Sequence, residues 1–498
     1  MRPMTIIATA LWGLVSLTTA LHAQGNPPWG EDLVDLELYG PGGSTAGFGR
    51  DVGISGDYFA VGVGADSSGG PATGAVRIYE RNLGGPGAWG AGPILIGSSS
   101  NGGDRLGDAV AISGTLVAAG ATFADSAGAQ FGEVYLFDAS TGLEIAQILA
   151  PTILNGFVQQ FGRAVDTDGT YVIAGGAYDS SIVPGLNDFG FASLYDATGA
   201  ALSSLTPSGT DNSFGRAVAV GGAYCAVSAP AKDVGGAPFG TGAVHVFDSA
   251  TGAELYVLSQ PGATGSAQFG KSLDIQGTRL LVGSNMSTMW CYDLPTATEL
   301  WSWNAEGLYF GIAKDVALTD QYAYATMGTI GSGSSIGRIG QVCVDTGRTV
   351  TWFTHDSTGA VLPPILGQDS LAADGDTIVS GSEIAGVAGS FEGAVHIMTR
   401  SLLGTGINRQ TAFALWDTID LTVRGGSPGQ VAGFAFTEIN GVPVFIIYSL
   451  GVFDANGEYS LFSIPLTGAG GNSLRMAGGG IAKNGTAVLA TSRPLQIL

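Results

Sequence analysis

Apolar positions along this chain fall into short runs of five to eight residues, cut by turns rich in Gly, Asp and Asn, and the runs recur. Seven times a Phe-Gly or Leu-Gly pair opens a similar segment, at Phe48, Leu106, Phe161, Phe214, Phe269, Phe310 and Leu366. A second anchor follows each: GAVRIYE from Gly74, GEVYLFD from Gly132, GFASLYD from Gly190 and GAVHVFD from Gly242. The fifth copy is a degenerate STMWCYD from Ser287, and the last two read GQVCVD from Gly340 and GAVHIMT from Gly393. The openings lie 41 to 58 residues apart. Strands repeating at such a period predict a β-propeller, and they turn most apparent motifs into scaffolding.

One repeat, from Phe161, predicts a blade. RAVDT is a short strand, Asp168-Gly169 a hairpin turn, TYVIAGG a second strand and GFASLYD a third. The turn Asp196–Gly199 leads to a fourth strand, ALSSL, with its Asp bonding the turn and its Gly supplying positive φ. The same turn recurs at Asp138–Gly142, Asp248–Gly252 and Asp345–Gly347. Blades pack on both faces, so small residues should crowd the axis, as in AVAISG and AVAVGG. The opening Phe should wedge between blades while its Gly allows close backbone approach. LVDLELYGPGG from Leu33 reads as a fourth strand but precedes the first blade, whereas the seventh runs out of sequence after HIMTR. The N-terminal strand is therefore expected to complete blade seven and remove an exposed edge.

Composition agrees with a turn-dense all-β protein: 82 of 498 residues are Gly and only 12% are charged. The apolar run from Met4 to about Leu21, followed by Ala23, predicts a secretory signal peptide over residues 1–23. No later run is long enough to span a bilayer as a helix. A formal net charge of −22 disfavours nucleic acid and anionic lipid as partners. Cys225, Cys291 and Cys343 each fall inside an expected strand and are read as buried small apolar residues, with one disulfide plus a free thiol as the alternative.

The succession of FG, short strand, turn, VGA-type strand end and GAVxVYD resembles the FG-GAP repeat over residues 30–401. That resemblance implies the seven-bladed propeller found at the N-terminus of integrin α-subunits and in many exported bacterial proteins. Integrin-type repeats often carry a calcium loop of the form DxDxDGxxD; here the place holds tight turns at Ser55, Ser113, Gln276 and Ala373. Asp166 and Asp168 come nearest, but two carboxylates do not supply the six to eight oxygens that calcium takes, so DTDG is read as a hairpin turn. No metal and no cofactor is expected.

Arg50, Arg163, Arg216 and Lys271 each follow a Phe-Gly pair, and Asp66, Asp179 and Asp233 come 16 or 17 residues later. Hairpin geometry predicts that each cation meets its acid at one rim, as a repeated structural tether or as a charged ring for a ligand. Asp125 repeats the acid where Asp108 replaces the cation. Trp290, Trp301, Trp303 and Trp352 cluster in the irregular blades five and six, either as core or as a stacking surface for a sugar ring or protein. His245 and His396 occupy equivalent strand positions, a repeat feature and not a triad, and no GxSxG, HExxH or P-loop occurs.

Beyond Leu402 the repeat stops, and six or seven alternating strands predict a small β-sandwich over residues 405–498. The whole reads as an all-β, exported, non-catalytic binding or adhesion protein that recognises protein or glycan at a propeller face. Two alternatives stay open: a carbohydrate-active hydrolase or lyase using acids in the central funnel, and a purely structural envelope or matrix component.

Overall fold

The computed structural model describes residues 31–497 except for 33–35, 41–46, 86–87, 126–130, 152–159, 178–189, 209–212, 235–239, 261–266, 286–287, 305–312, 329–336, 355–369, 376, 383–392, 400–403, 410–417, 425–430, 440–441, 453–457, 466–475, 485–486 and 492–494. The expected signal segment therefore lies outside the described residues, as do Asp179, Phe310 and Leu366.

Every regular element among the described residues is a β-strand. After β1 (Glu31–Asp32) and β2 (Leu36–Tyr39), the strands fall in order into seven sheets. Blade one holds β3 (Phe48–Ser55), β4 (Tyr58–Val63), β5 (Ala75–Arg81) and β6 (Trp89–Leu95). Blade two holds β7 (Leu106–Ser113), β8 (Leu116–Ala121), β9 (Glu133–Asp138) and β10 (Glu144–Leu149). Blade three holds β11 (Ala164–Thr167), β12 (Tyr171–Ala177), β13 (Gly190–Asp196) and β14 (Ala201–Leu205). Blade four holds β15 (Val218–Gly221), β16 (Tyr224–Ala229), β17 (Ala243–Asp248) and β18 (Glu254–Ser259). Blade five holds β19 (Leu273–Gln276), β20 (Arg279–Gly283), β21 (Thr288–Asp293) and β22 (Thr298–Asn304). Blade six holds β23 (Ala313–Leu318), β24 (Tyr322–Gly328), β25 (Gly337–Cys343) and β26 (Thr349–Thr354). Blade seven contributes β27 (Ser370–Asp374), β28 (Thr377–Ser382) and β29 (Ala394–Thr399).

The seventh blade is completed as expected. β2 pairs antiparallel with β29, from Leu36 opposite Ile397 to Tyr39 opposite Ala394. The chain start also does something the sequence did not announce: β1 adds in parallel to the outer edge of β26, Glu31 opposite Trp352 and Asp32 opposite Phe353. One N-terminal segment thus joins blades six and seven.

The ring is closed. Inner strands β3, β7, β11, β15, β19, β23 and β27 contact one another in that cyclic order, with β27 returning to β3. Seven clusters of buried apolar side chains sit one at each seam between neighbouring blades. Phe48, Phe161, Phe214 and Phe269, the opening aromatics, are fully buried in these seams. Each contributes about 1.5–3 kcal/mol of apolar burial.

Glycine sets the seam spacing. A β-carbon on Gly120 would lie 1.8 Å from the carbonyl oxygen of Gly162 in the next blade, a distance no real atom tolerates. Gly132, at φ +81, makes a parallel bridge to Phe161 and leaves a β-carbon equally little room, 2.2 Å from the Phe161 carbonyl. Gly74 with Leu106 and Gly393 with Phe48 repeat that bridge, the latter across the closing seam. The turns between third and fourth strands behave as read: the Asp138 carboxylate accepts bonds from the Thr141 amide at 2.9 Å and the Ser140 hydroxyl at 2.6 Å, and Gly142 takes φ +72.

The C-terminal region forms two further sheets, the β-sandwich. One orders β30 (Gly404–Arg409), β31 (Thr418–Arg424) and β34 (Glu458–Pro465). The other orders β33 (Val442–Val452), β32 (Val431–Ile439), β35 (Met476–Asn484) and β36 (Ala487–Thr491), with β37 (Leu495–Ile497) on β35. Strands β32 and β34 approach each other across the two sheets.

Candidate functional site

Four aspartates stand on the inner strands of the propeller, Asp51 on β3, Asp166 on β11, Asp274 on β19 and Asp315 on β23. Each inner strand is hydrogen-bonded on one side only, so its axial edge carries amides that the ladder leaves unpaired. Four aspartates from preceding blades supply the missing acceptors. Asp51 takes the Val110 amide at 2.7 Å, Asp166 the Val220 amide at 2.7 Å, Asp274 the Leu318 amide at 2.6 Å and Asp315 the Leu371 amide at 2.8 Å. These bonds cross the seams between blades one and two, three and four, five and six, and six and seven. The second oxygen of Asp51, Asp166 and Asp315 accepts the amide of its own following residue, at 3.0, 2.8 and 3.0 Å.

The four carboxylates occupy two levels. Asp51 and Asp315 stand four residues before the turn-closing Ser55 and Thr319; Asp166 and Asp274 stand two residues before Asp168 and Gln276. Steps of two keep a strand side chain on one face, so both levels point the same way around the ring. The intervening positions are small: Gly53, Ala109, Ala111, Ala164, Ala217, Ala219, Ala317 and Ala372. At the turn end a further ring repeats the handover, with the Gly114 amide donating to Ser55, Gly222 to Asp168 and Gly56 to Asp374, at 3.0, 2.8 and 2.5 Å.

Protein encloses these four aspartates, yet each keeps a little solvent contact from the axis. Burial pushes Asp51 and Asp274 up to about 7 and Asp166 to about 6, and drives Asp315 well above the usual carboxylate range, against the lowering effect of the amides. Mutual repulsion adds to it. Asp166 raises Asp274, and both Asp51 and Asp274 raise Asp315.

The residues singled out from the sequence do not assemble into one site. Asp66 is 1% exposed and is held by Arg77 at 2.7 Å, not by Arg50. Burial opposes its ionisation, but hydrogen bonds from Ser68 and the Arg77 guanidinium bring its pKa below the usual value. Arg50 instead crosses the seam to Asp108 of blade two, at 2.8 Å, where Arg105 joins at 3.1 Å. The expected pairing within the hairpin is therefore corrected: the cation reaches the same repeat position one blade onward. Arg163 bonds Gln160, three residues before it, and Arg216 and Lys271 are half-buried at the equivalent position. Asp233 accepts the Gly240 amide at 2.7 Å inside its own loop, and Asp125 is exposed, close enough to raise the pKa of buried Asp104.

Three of the four tryptophans, Trp290, Trp301 and Trp303, are core. Trp290 is 5% exposed and meets Phe269 edge-on at 5.2 Å. Trp301 and Trp303 fill the seam between blades five and six, donating to the Val344 carbonyl at 2.6 Å and the Thr349 hydroxyl at 2.8 Å. They offer no exposed stacking platform; Trp352 is placed by its strand, opposite Glu31. His245 is fully buried and bonds Glu254, and His396 is fully buried at the matching position of blade seven. The three cysteines are free and buried. Burial pushes the thiols of Cys225 and Cys291 up to about 12, which makes them inert.

The FG-GAP repeat family model matches residues 89–137, from the outer strand of blade one through the third strand of blade two. That match lies within a closed ring of seven blades, and the chain is an FG-GAP-repeat β-propeller protein. A comparison with curated proteins finds no match.

Proposed function

We propose that this protein is an exported, non-catalytic binding or adhesion protein that recognises a protein or glycan through a face of its propeller. The observation that carries the reading is the FG-GAP propeller itself, a fold that commonly mediates protein interactions. The internal use of its polar groups supports it. Asp66, Asp108, Glu254 and the four axial aspartates are each engaged in holding blades or loops together. The apolar run over residues 4–21 ending near Ala23 supports export, and the net charge of −22 favours neutral or basic partners over nucleic acid.

A glycan and secreted-protein binding array, run with the purified chain in calcium and in chelator, tests this. Saturable binding to a protein or glycan class without turnover supports the reading; product formation from any bound glycan overturns it.

One observation favours a second reading, a hydrolase or lyase working in the funnel: several carboxylates with raised pKa surround one axis. Against it, the oxygens of these groups point into backbone amides of adjoining strands. A general acid needs an oxygen free to face substrate.

A further inference from the structure

The outer strands of blades two to six share one irregularity. In β10, Glu144 lies opposite Phe137 and Ala146 opposite the adjoining Leu136, so Ile145 is an extra residue without a partner in the ladder. Leu202 in β14, Leu255 in β18, Leu300 in β22 and Val350 in β26 are extra at the same step of their own ladders. A bulge of this kind re-aims its side chain out of the regular pleat. Ile145, Leu202, Leu255 and Leu300 are accordingly 46 to 50% exposed, one per blade around the rim. Exposed apolar residues scattered singly need no explanation, but a large aliphatic side chain at the same bulge of four blades is a built feature. Blade six shows what such an edge can accept. There β1 pairs with β26 at Trp352 and Phe353, just past the bulge, and Val350 is half-buried against the seam to blade seven.

The covered edge and the open ones differ in charge. The outer hairpin of blade six carries Arg338 and Arg348, and the strand laid on it is Glu31–Asp32. The corresponding hairpins over residues 133–149, 190–205, 243–259 and 288–304 contain no Lys or Arg, and each has an acid at its turn: Asp138, Asp196, Asp248 or Asp293. In three of them a glutamate stands immediately before the bulge. Arg279, opposite Asp293 in the blade-five ladder, is bound to Asp345 at 2.6 Å. Among the described residues the outer edges of β10, β14, β18 and β22 have no strand partner.

We propose that these four outer edges dock extended segments of a basic protein partner, in which Lys or Arg alternates with aliphatic residues, in the way that β1 lies on β26. Such a segment takes backbone hydrogen bonds from the free edge and turns its alternate side chains to opposite sides, the aliphatic ones against the bulge residues and the cations toward the acids. A second copy of this chain is a poor occupant, because two chains of formal net charge −22 repel each other. The rim belt is separate from the propeller faces and does not depend on what those faces bind.

Fluorescence anisotropy with the full chain and labelled peptides of alternating Lys-Val, Lys-Ser and Glu-Val tests the belt at about 0.15 M salt. The Lys-Val peptide is expected to bind at least about tenfold more tightly than Lys-Ser, because its valines bury apolar surface, and to saturate at more than one peptide per chain. Glu-Val should not bind. The variant I145S/L202S/L255S/L300S alters exposed side chains only and should weaken Lys-Val binding about tenfold or more at an unchanged urea midpoint. Each substitution made singly should lower the number of peptides bound by one, and these single variants carry the test should the quadruple one not fold. L83S, at a residue 56% exposed in the loop after β5 and off the belt, should change nothing. Absence of Lys-Val binding, equal binding of Lys-Ser, preference for Glu-Val, or undiminished binding by the belt variants overturns the proposal. So does self-association of the peptide-free chain that the same Ser substitutions abolish, which would assign the belt to a second copy.

Discussion

Blades two and three meet differently from blades five and six, although both seams solve the same problem. At the first, Gly120 and Gly132 bring backbone against the Phe161-Gly162 backbone, and the buried ring of Phe161 fills the remaining space. At the second, Trp301 and Trp303 fill the seam and donate to Val344 and Thr349, and Gly347 of blade six would place a β-carbon 2.8 Å from the Trp301 ring. The regular seam closes by backbone proximity; in the irregular half the five–six seam closes by large side chains, blades six and seven borrow strands from the N-terminus, and the seven–one seam keeps the backbone approach of Gly393 to Phe48. A repeat can therefore lose its consensus without losing its seam, provided another volume replaces it.

The largest expected effect comes from removing what the irregular half borrows. Truncation through Tyr39 strips β2 from blade seven and the two-residue β1 from blade six, exposing the outer edge of β29 and freeing the short stretch of β26 that β1 covers. Loss of a single cooperative unfolding transition, or aggregation during expression, is the expected outcome in denaturant titration. Trp301→Ala comes next: it empties a seam and orphans the Val344 carbonyl, at a cost of about 3–5 kcal/mol by urea unfolding. Breaking the buried Asp66–Arg77 pair with Asp66→Ala leaves an uncompensated guanidinium and should cost a similar or slightly smaller amount, about 3 kcal/mol. Because the folded Asp66 has a lowered pKa, wild type should lose this advantage as the pH falls below the ordinary carboxylate range, and the variant should show a shallower acid limb. Gly120→Ala, forcing backbone apart at the regular seam, should cost roughly 1–3 kcal/mol or somewhat more. Gly56→Ala meets open space but keeps a φ of +57, so about 1 kcal/mol is expected there. An equal cost for the two glycines would remove the claim that close approach, not backbone conformation, fixes the seam.

Much of this architecture was legible because it repeats. Phe-Gly pairs, the Asp-to-Gly turns and the closing role of the Leu36–Tyr39 strand all follow from copies that can be laid over one another. Arg50 was misassigned because a hairpin places it beside Asp66 within one repeat, whereas side chains at a propeller seam reach the neighbouring blade, where Asp108 waits. Of the axial aspartates the sequence singles out Asp166 alone, and only as part of a hairpin turn, for a related reason. Two sit at one strand position and two at another, so no single column of the repeat is acidic, and only the fold lines them up. The parallel addition of β1 involves two residues, too few to leave a pattern.

Ring closure by the N-terminal strand is the claim on which the seam account stands, and crosslinking tests it most directly. Leu38 lies opposite Val395 in the β2–β29 ladder, at a separation suited to a disulfide. The Leu38→Cys/Val395→Cys variant, oxidised while folded, should form an intramolecular bond and unfold at higher denaturant than its reduced form. Absence of the bond, or its formation only between chains, would contradict closure of the propeller by its own first strands.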